Sequence, residues 1–106
     1  MTLEQQLQHF DGLTTKMREV LISKGNDYAN DDKLSNFKTA GPNAGLTPEQ
    51  NCLSLISTKV ARLGTLFNSN KLPSNEAVSD SVLDLANYAI LLHMIINENV
   101  KENLPL

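Results

Sequence analysis

Apolar residues recur at intervals of three and four along most of this chain, which is the spacing of one face of an α-helix. Three segments have the pattern: about Leu3 to Lys24, Pro48 to Asn68, and about Glu76 to Asn99. No stretch shows the strict alternation of a half-buried strand. The pattern predicts an all-α fold, a small antiparallel bundle of three main helices in a single domain over residues 1–106.

Two helix starts and one interruption can be located from local signals. Thr2 with Gln5, and Thr47 with Gln50, have the spacing of capping boxes, so helices should begin after each threonine. The pair Asp11-Gly12 interrupts the apolar pattern of the first helix, which predicts a kink or break there.

The segment from Gly25 to Leu46 is polar and rich in Gly, Asn and Asp. A connection of about twenty residues without secondary structure is long for a compact domain. We therefore expect a functional loop over about 25–46. Three apolar or aromatic residues could pin this loop to the core: Tyr28, Leu34 and Phe37.

The third helix is apolar on nearly every side between Val82 and Ile96. Two partner helices from the same chain can scarcely cover such a helix, so the pattern predicts a homo-oligomer. The apolar run includes Asp84, Asn87 and His93 and is short for a membrane span, so no membrane association is expected.

Composition narrows the function classes. The net charge is −3, 5% of the residues are aromatic, and there is no Trp. Binding to a nucleic acid polymer usually needs a basic surface or a stacking platform, so it is not expected. No signal peptide is visible at the N-terminus, which favours the cytoplasm. Cys52 is the only cysteine and falls on an apolar arc, which favours a core residue over a nucleophile.

Two cations lie where the second helix should bury carbon. Lys59 projects within the apolar arc of that helix, and Arg62 lies at its edge. A cation in such a position must reach solvent, pair with an acid, or bind an anion. An ion pair with Asp84 of the next helix and an anion site both remain open.

The third helix carries a polar stripe of Asp80, Asp84 and Asn87, with Tyr88 beside it. The two carboxylates are one turn apart and could share a hydrated Mg²⁺. Alternatively, Asp80 simply complements the positive end of the helix dipole.

The loop contributes a second group of candidates. A cation at a helix end, a tight turn, an acid, an amide and aromatic rings suit a phosphate- or sugar-bearing ligand. The residues are Lys24, Asp27, Tyr28, Asn36 and Phe37. The alternative is a well-placed C-terminal lysine followed by a solvated loop. The histidines lack metal-ligand spacing, and no Walker loop, dinucleotide glycine motif or catalytic triad is present.

The order KGNDYAN, LSNF, ISTKVARLGTLF and DSVLDLANYAILL resembles the nucleotide modification associated domain family of phages and bacteria. The resemblance covers roughly Leu21 to Ile96 and implies a nucleotide ligand. Through the motifs K-x-x-DY, K-x-x-R and D-x-x-NY, it places the site at these positions: Lys24, Asp27, Tyr28, Lys59, Arg62, Asp84, Asn87 and Tyr88.

The layout is more distantly similar to the MazG-like all-α nucleoside triphosphate pyrophosphohydrolases, which bind Mg²⁺ through E-x-x-E and E-x-x-D motifs. Here Lys59 and Arg62 stand at the first pair of positions, and Ser81 and Asp84 at the second. Fixed cations in place of carboxylates suit holding a phosphate better than cutting one.

The sequence therefore predicts a non-catalytic binder of a small phosphorylated nucleotide, with no cofactor and no bound metal. In a phage, such a protein would suit the sequestration of a nucleotide immune signal in the host cytoplasm. One alternative is a Mg²⁺-dependent pyrophosphohydrolase whose metal ligands would be Asp80 and Asp84. Another is a structural or protein-interaction module in which Lys59 pairs only with Asp84.

Overall fold

A computed structural model describes residues 1–26, 32–68 and 75–103. It contains the helices α1 (Leu3–Asn26), α2 (Ser35–Asn43), α3 (Pro48–Asn68) and α4 (Asn75–Asn103). These described residues include no strand. The all-α prediction is confirmed, and α1, α3 and α4 are the three helices that the apolar pattern predicted.

The chain divides into two compact units, Met1–Lys33 and Leu34–Leu106. The first contains α1, whose capping box is present as predicted: the Thr2 amide donates to Gln5 Oε1 at 2.9 Å, and the Gln5 amide donates to Thr2 Oγ1 at 3.1 Å. The predicted break at Asp11-Gly12 was wrong, because α1 continues through both residues. A single glycine costs a helix only about 1 kcal/mol, which its neighbours can offset.

The second unit contains α2, which lies inside the segment that the sequence predicted to be a loop. The Gly-Pro-Asn run at its end argued against a helix, but Pro42 lies in the last turn, so its missing N–H removes one backbone hydrogen bond and only Asn43 follows it in α2. Leu34, Phe37 and Gly41 recur at three and four and are all buried. This short apolar spacing was the signal that the polar composition obscured.

A small core joins the three helices of the second unit. Its buried residues are Leu34, Phe37, Cys52 and Ile95. Half-buried apolar residues of α3 and α4 pack against them: Leu55, Ile56, Tyr88, Leu91 and Leu92. Phe37 and Leu34 therefore attach α2 to the core, as the sequence analysis suggested.

Contacts between α3 and α4 show that the two helices run antiparallel. The Cys52 thiol donates to the Tyr88 carbonyl at 3.4 Å, and further along α3, Lys59 meets Asp84, which lies earlier on α4. A further ion pair joins Lys38 of α2 to Glu98 of α4. The helices α3 and α4 thus form a hairpin, and α2 is fastened to one end of it.

By length and composition, one stretch of α4 could cross a membrane: Ala77–Asn99, with a mean hydropathy of 1.2. Long core helices of soluble proteins have the same properties. This stretch includes Asp84, which pairs with α3.

A close approach at Gly41 generates the first prediction. A Cβ atom at this position would lie 3.1 Å from the backbone oxygens of Leu46 and Thr47, which belong to the turn between α2 and α3. Because backbone atoms cannot move aside cheaply, Gly41→Ala should lower the free energy of unfolding by about 1–2 kcal/mol in urea titrations.

Gly64→Ala is the matched control. An added Cβ at Gly64 meets nothing within 4 Å, and the residue lies within α3. Since alanine favours a helix over glycine, this variant should gain about 0.5–1 kcal/mol. Equal effects of the two substitutions would contradict the tight turn at Gly41.

Candidate functional site on the α3–α4 hairpin

From burial and from the contacts of Cys52 with Tyr88 and of Lys59 with Asp84, we infer that α3 and α4 meet along residues seven apart on each helix. On α3 this contact row consists of Cys52, Lys59 and Leu66, and on α4 it consists of Ser81, Tyr88 and Ile95. Cys52, Ser81 and Ile95 are almost fully buried. Lys59 therefore extends from a position that otherwise holds small or apolar side chains.

Lys59 is held in that row by an ion pair. Its Nζ atom lies 3.0 Å from Asp84 Oδ2, and the two side chains are 24% and 27% exposed. The sequence left an ion pair with Asp84 and an anion site both open for Lys59, and the structure shows the ion pair. Because about three quarters of each side chain is out of water, either charge alone would be costly to hold there.

The two sides of the hairpin differ in polarity. The residues that come just before each contact-row residue are mostly polar: Asn51, Thr58, Thr65, Asp80, Asn87 and Met94. In two antiparallel right-handed helices, positions with the same offset from the contact row lie on the same side of the pair. We call this side the polar side, and Arg62 projects toward it as well.

Arg62 is the accessible cation of the polar side. It lies one turn beyond Lys59 on α3 and is exposed. Within the described parts of the chain, Arg62 forms no ion pair and no hydrogen bond. Its planar guanidinium can make two parallel hydrogen bonds to a phosphate or carboxylate. The hairpin thus presents one fixed cation and one accessible cation a single turn apart.

Polar groups of α4 are buried close to the ion pair. Ser81 and Asn87 are only 3% and 5% exposed. The Oδ1 atom of Asn87 accepts no hydrogen bond from the residues described, although Asn87 does have an interaction partner. Tyr88 is half-buried against the core. The sequence had predicted Asn87 and Tyr88 as site residues, whereas Ser81 appeared only as a motif position.

The predicted loop residues have different environments within the described parts of the chain. Asn36 is exposed in the first turn of α2, and Lys24 is exposed in the last turn of α1, within the first unit. Asp27 and Tyr28 lie outside the described residues. Phe37 is 5% exposed and packed in the core, so its ring serves packing and offers no face on which a base could stack.

Cys52 is a core residue, as the sequence predicted. Its side chain is fully buried, and burial raises the pKa of the thiol. A thiol held in its neutral form is a weak nucleophile, so Cys52 belongs to the packing of the three helices.

Carboxylates that could hold a divalent cation are sparse on this hairpin. Asp80 is exposed near the start of α4, and Asp84 is engaged by Lys59. Across residues 1–26, 32–68 and 75–103, no three His, Cys, Asp or Glu side chains are grouped as metal ligands would be.

Comparison with known proteins found no matching family model, curated protein or solved structure. The resemblance to the nucleotide modification associated domain family therefore depends on the motifs themselves.

The ion pair generates the second prediction. Lys59→Met and Asp84→Leu should each lower the free energy of unfolding, and the double variant should lose less than the two losses combined. We expect a coupling energy of about 1–2 kcal/mol, between the values typical of exposed and buried pairs. Urea unfolding of all four proteins measures it.

A second cycle with Arg62→Met and Asp84→Leu is the control. Arg62 forms no ion pair with Asp84, so these two losses should add within about 0.5 kcal/mol. Additive losses in the Lys59 cycle as well would show that the pair contributes nothing to stability.

Proposed function

We propose that this protein binds a small phosphorylated nucleotide on the polar side of the α3–α4 hairpin and does not hydrolyse it. The phosphate group would be held mainly by Arg62, with Lys59 as the second cation. The observation that carries the proposal is the exposed guanidinium of Arg62 one turn from an ammonium group fixed by Asp84.

The ion pair supports binding by orienting its lysine in advance. An ammonium group has three donors, and Asp84 occupies one direction at 3.0 Å. Lys59 therefore keeps donors for a second acceptor without having to be ordered when the ligand arrives, which reduces the entropic cost of binding. Arg62 supplies the two-pronged contact that a phosphate accepts well.

Neighbouring polar groups suit the rest of a nucleotide. Asn87 is 5% exposed and lies one turn from Asp84, where its amide can orient the ion pair, and Tyr88 has a half-buried ring. Asn36 is an exposed amide on α2. In this proposal Tyr88 and Asn36 contact the sugar or base edges. The resembling motifs also imply Lys24, Asp27 and Tyr28, which stay predictions of the sequence.

The residues do not fit the alternative of a Mg²⁺-dependent pyrophosphohydrolase. Such chemistry needs several carboxylates to hold the metal. Lys59 and Arg62 stand where the resembling hydrolases have two of them, and Asp84 is already neutralised by Lys59. Asp80 alone would leave a divalent cation poorly held.

A binder without turnover would act by lowering the free concentration of its ligand. This is consistent with a cytoplasmic phage protein that sequesters a nucleotide signal, the use that the family resemblance suggests. A fold does not by itself determine a function, so the sequestering role is tested by identifying the ligand.

The third prediction concerns Arg62. A charge-assisted hydrogen bond to phosphate is worth about 1.5–3 kcal/mol, so Arg62→Ala should weaken nucleotide binding about ten- to hundredfold with helix content unchanged. Calorimetry with a panel of linear and cyclic nucleotides, in EDTA, measures the affinities. Binding should persist in EDTA, because fixed side-chain charge takes the place of a metal.

Arg18→Ala is the matched control, since Arg18 is an exposed arginine of α1 and belongs to the first unit. It should leave the affinity unchanged. Chromatography of the recovered ligand should show an intact nucleotide. A cleaved product formed only with Mg²⁺ would contradict the proposal and favour the hydrolase, and an absence of affinity for every nucleotide would favour the interaction module.

A further inference from the structure

The side of the hairpin opposite the polar side is apolar along its length. The residues that come just after each contact-row residue are Leu53, Val60 and Phe67 on α3 and Val82, Ala89 and Ile96 on α4. The same antiparallel geometry that gathers the polar side places these six residues together on the other side. We call them the apolar face.

The apolar face is exposed. Leu53, Val60 and Phe67 are 53%, 54% and 67% accessible, and Val82 and Ile96 are 41% and 47% accessible. Ala89 between them is exposed as well. Phe67 and Leu53 are far more accessible than large apolar side chains in a folded core. These side chains bury little area when a single hairpin folds, so they contribute little to its stability.

The size of the face matches what a specific pair of proteins buries. With the half-buried neighbours Ile56, Leu63 and Leu85 included, the accessible parts of these side chains form an apolar patch of several hundred Å² per chain. Two such faces packed together would bury on the order of 1,000 Å², which lies near the lower end of the range for specific interfaces and above most lattice contacts.

The chemistry of the face favours a second copy of the same chain. None of its six residues is charged or polar, so it would meet an identical face without like-charge repulsion and without leaving a charge unpaired. Most cations and acids of the hairpin lie at the contact row or on the polar side, and Glu49, in the first turn of α3, is an acid at the end of the stripe that contains Ile56 and Leu63. A two-helix hairpin with one apolar side also completes a four-helix bundle when it packs on its own copy.

We propose that the apolar face is a homodimer interface in which two α3–α4 hairpins pack face to face into a four-helix bundle. This locates on both helices the self-association that the sequence predicted for α4 alone. It also leaves the polar sides of both hairpins outward, so the proposal does not depend on nucleotide binding.

The test compares a charge placed on the apolar face with the same charge placed elsewhere on α4. Sedimentation equilibrium at micromolar concentration should give the wild type a mass twice the 11.7 kDa of one chain. Val60→Arg should raise the dissociation constant at least about a hundredfold, because the cation would be buried without a partner. Ile90→Arg is the matched control, since Ile90 is 40% exposed but lies off the apolar face, and it should remain dimeric.

Ala89→Arg guards against a folding defect. Ala89 is exposed in the single chain, and arginine favours a helix, so this variant should keep its helical circular dichroism while losing the dimer. A wild type that stays monomeric at all concentrations would overturn the proposal. So would equal dissociation by all three variants, or a monomer that floats with neutral lipid vesicles, which would assign the face to a membrane surface.

Discussion

The ion pair between Lys59 and Asp84 is the constraint on which the hairpin depends. Each charge sits on a helix side that otherwise meets its neighbour through carbon, sulfur and small hydroxyl groups. Apolar contacts are tolerant of sliding, because one methyl group can replace another. A charge that must find one partner is not, so we expect the pair to favour a single register of α3 against α4. That register aligns the contact rows and determines which residues face outward on each side.

The two outward sides have opposite chemistry, and this separates two tasks on one pair of helices. The polar side has an accessible cation, buried amide and hydroxyl groups, and the ion pair at its edge. The six residues of the apolar face have neither charge nor hydrogen-bonding side chains. A ligand on one side and a second chain on the other would therefore not compete for surface. They would still share the same helices, so anything that shifts α3 along α4 would be felt at both.

The sequence determined the long helices more reliably than the short one. The capping boxes at Thr2 and Thr47 fixed where α1 and α3 begin, because these signals depend only on residues three apart. The helix α2 was missed because its stability comes from burying Leu34 and Phe37 against α3 and α4, a tertiary effect that local composition does not report.

The pairing of Lys59 with Asp84 could be predicted from the sequence. Each of the two helices has one charge, of opposite sign, at a position otherwise suited to an apolar residue. Arg62 was identified by its motif and its place at the edge of the arc, but its accessibility required the three-dimensional arrangement. Phe37 has a different role from the one that its segment suggested. An aromatic ring in a polar segment suggested stacking on a ligand, but in the structure the ring packs in the core.

Because Cys52 is buried, the reactivity of its thiol reports how often the surrounding helices separate. This lone thiol lies where α2, α3 and α4 converge, it is out of reach of solvent, and its pKa is raised by that burial. A thiol reagent can reach the sulfur only when these helices separate, so the rate of labelling measures how often the second unit opens. The labelling rate of this one cysteine therefore reports the unfolding of the second unit under native conditions, and no further residue has to be introduced for the purpose.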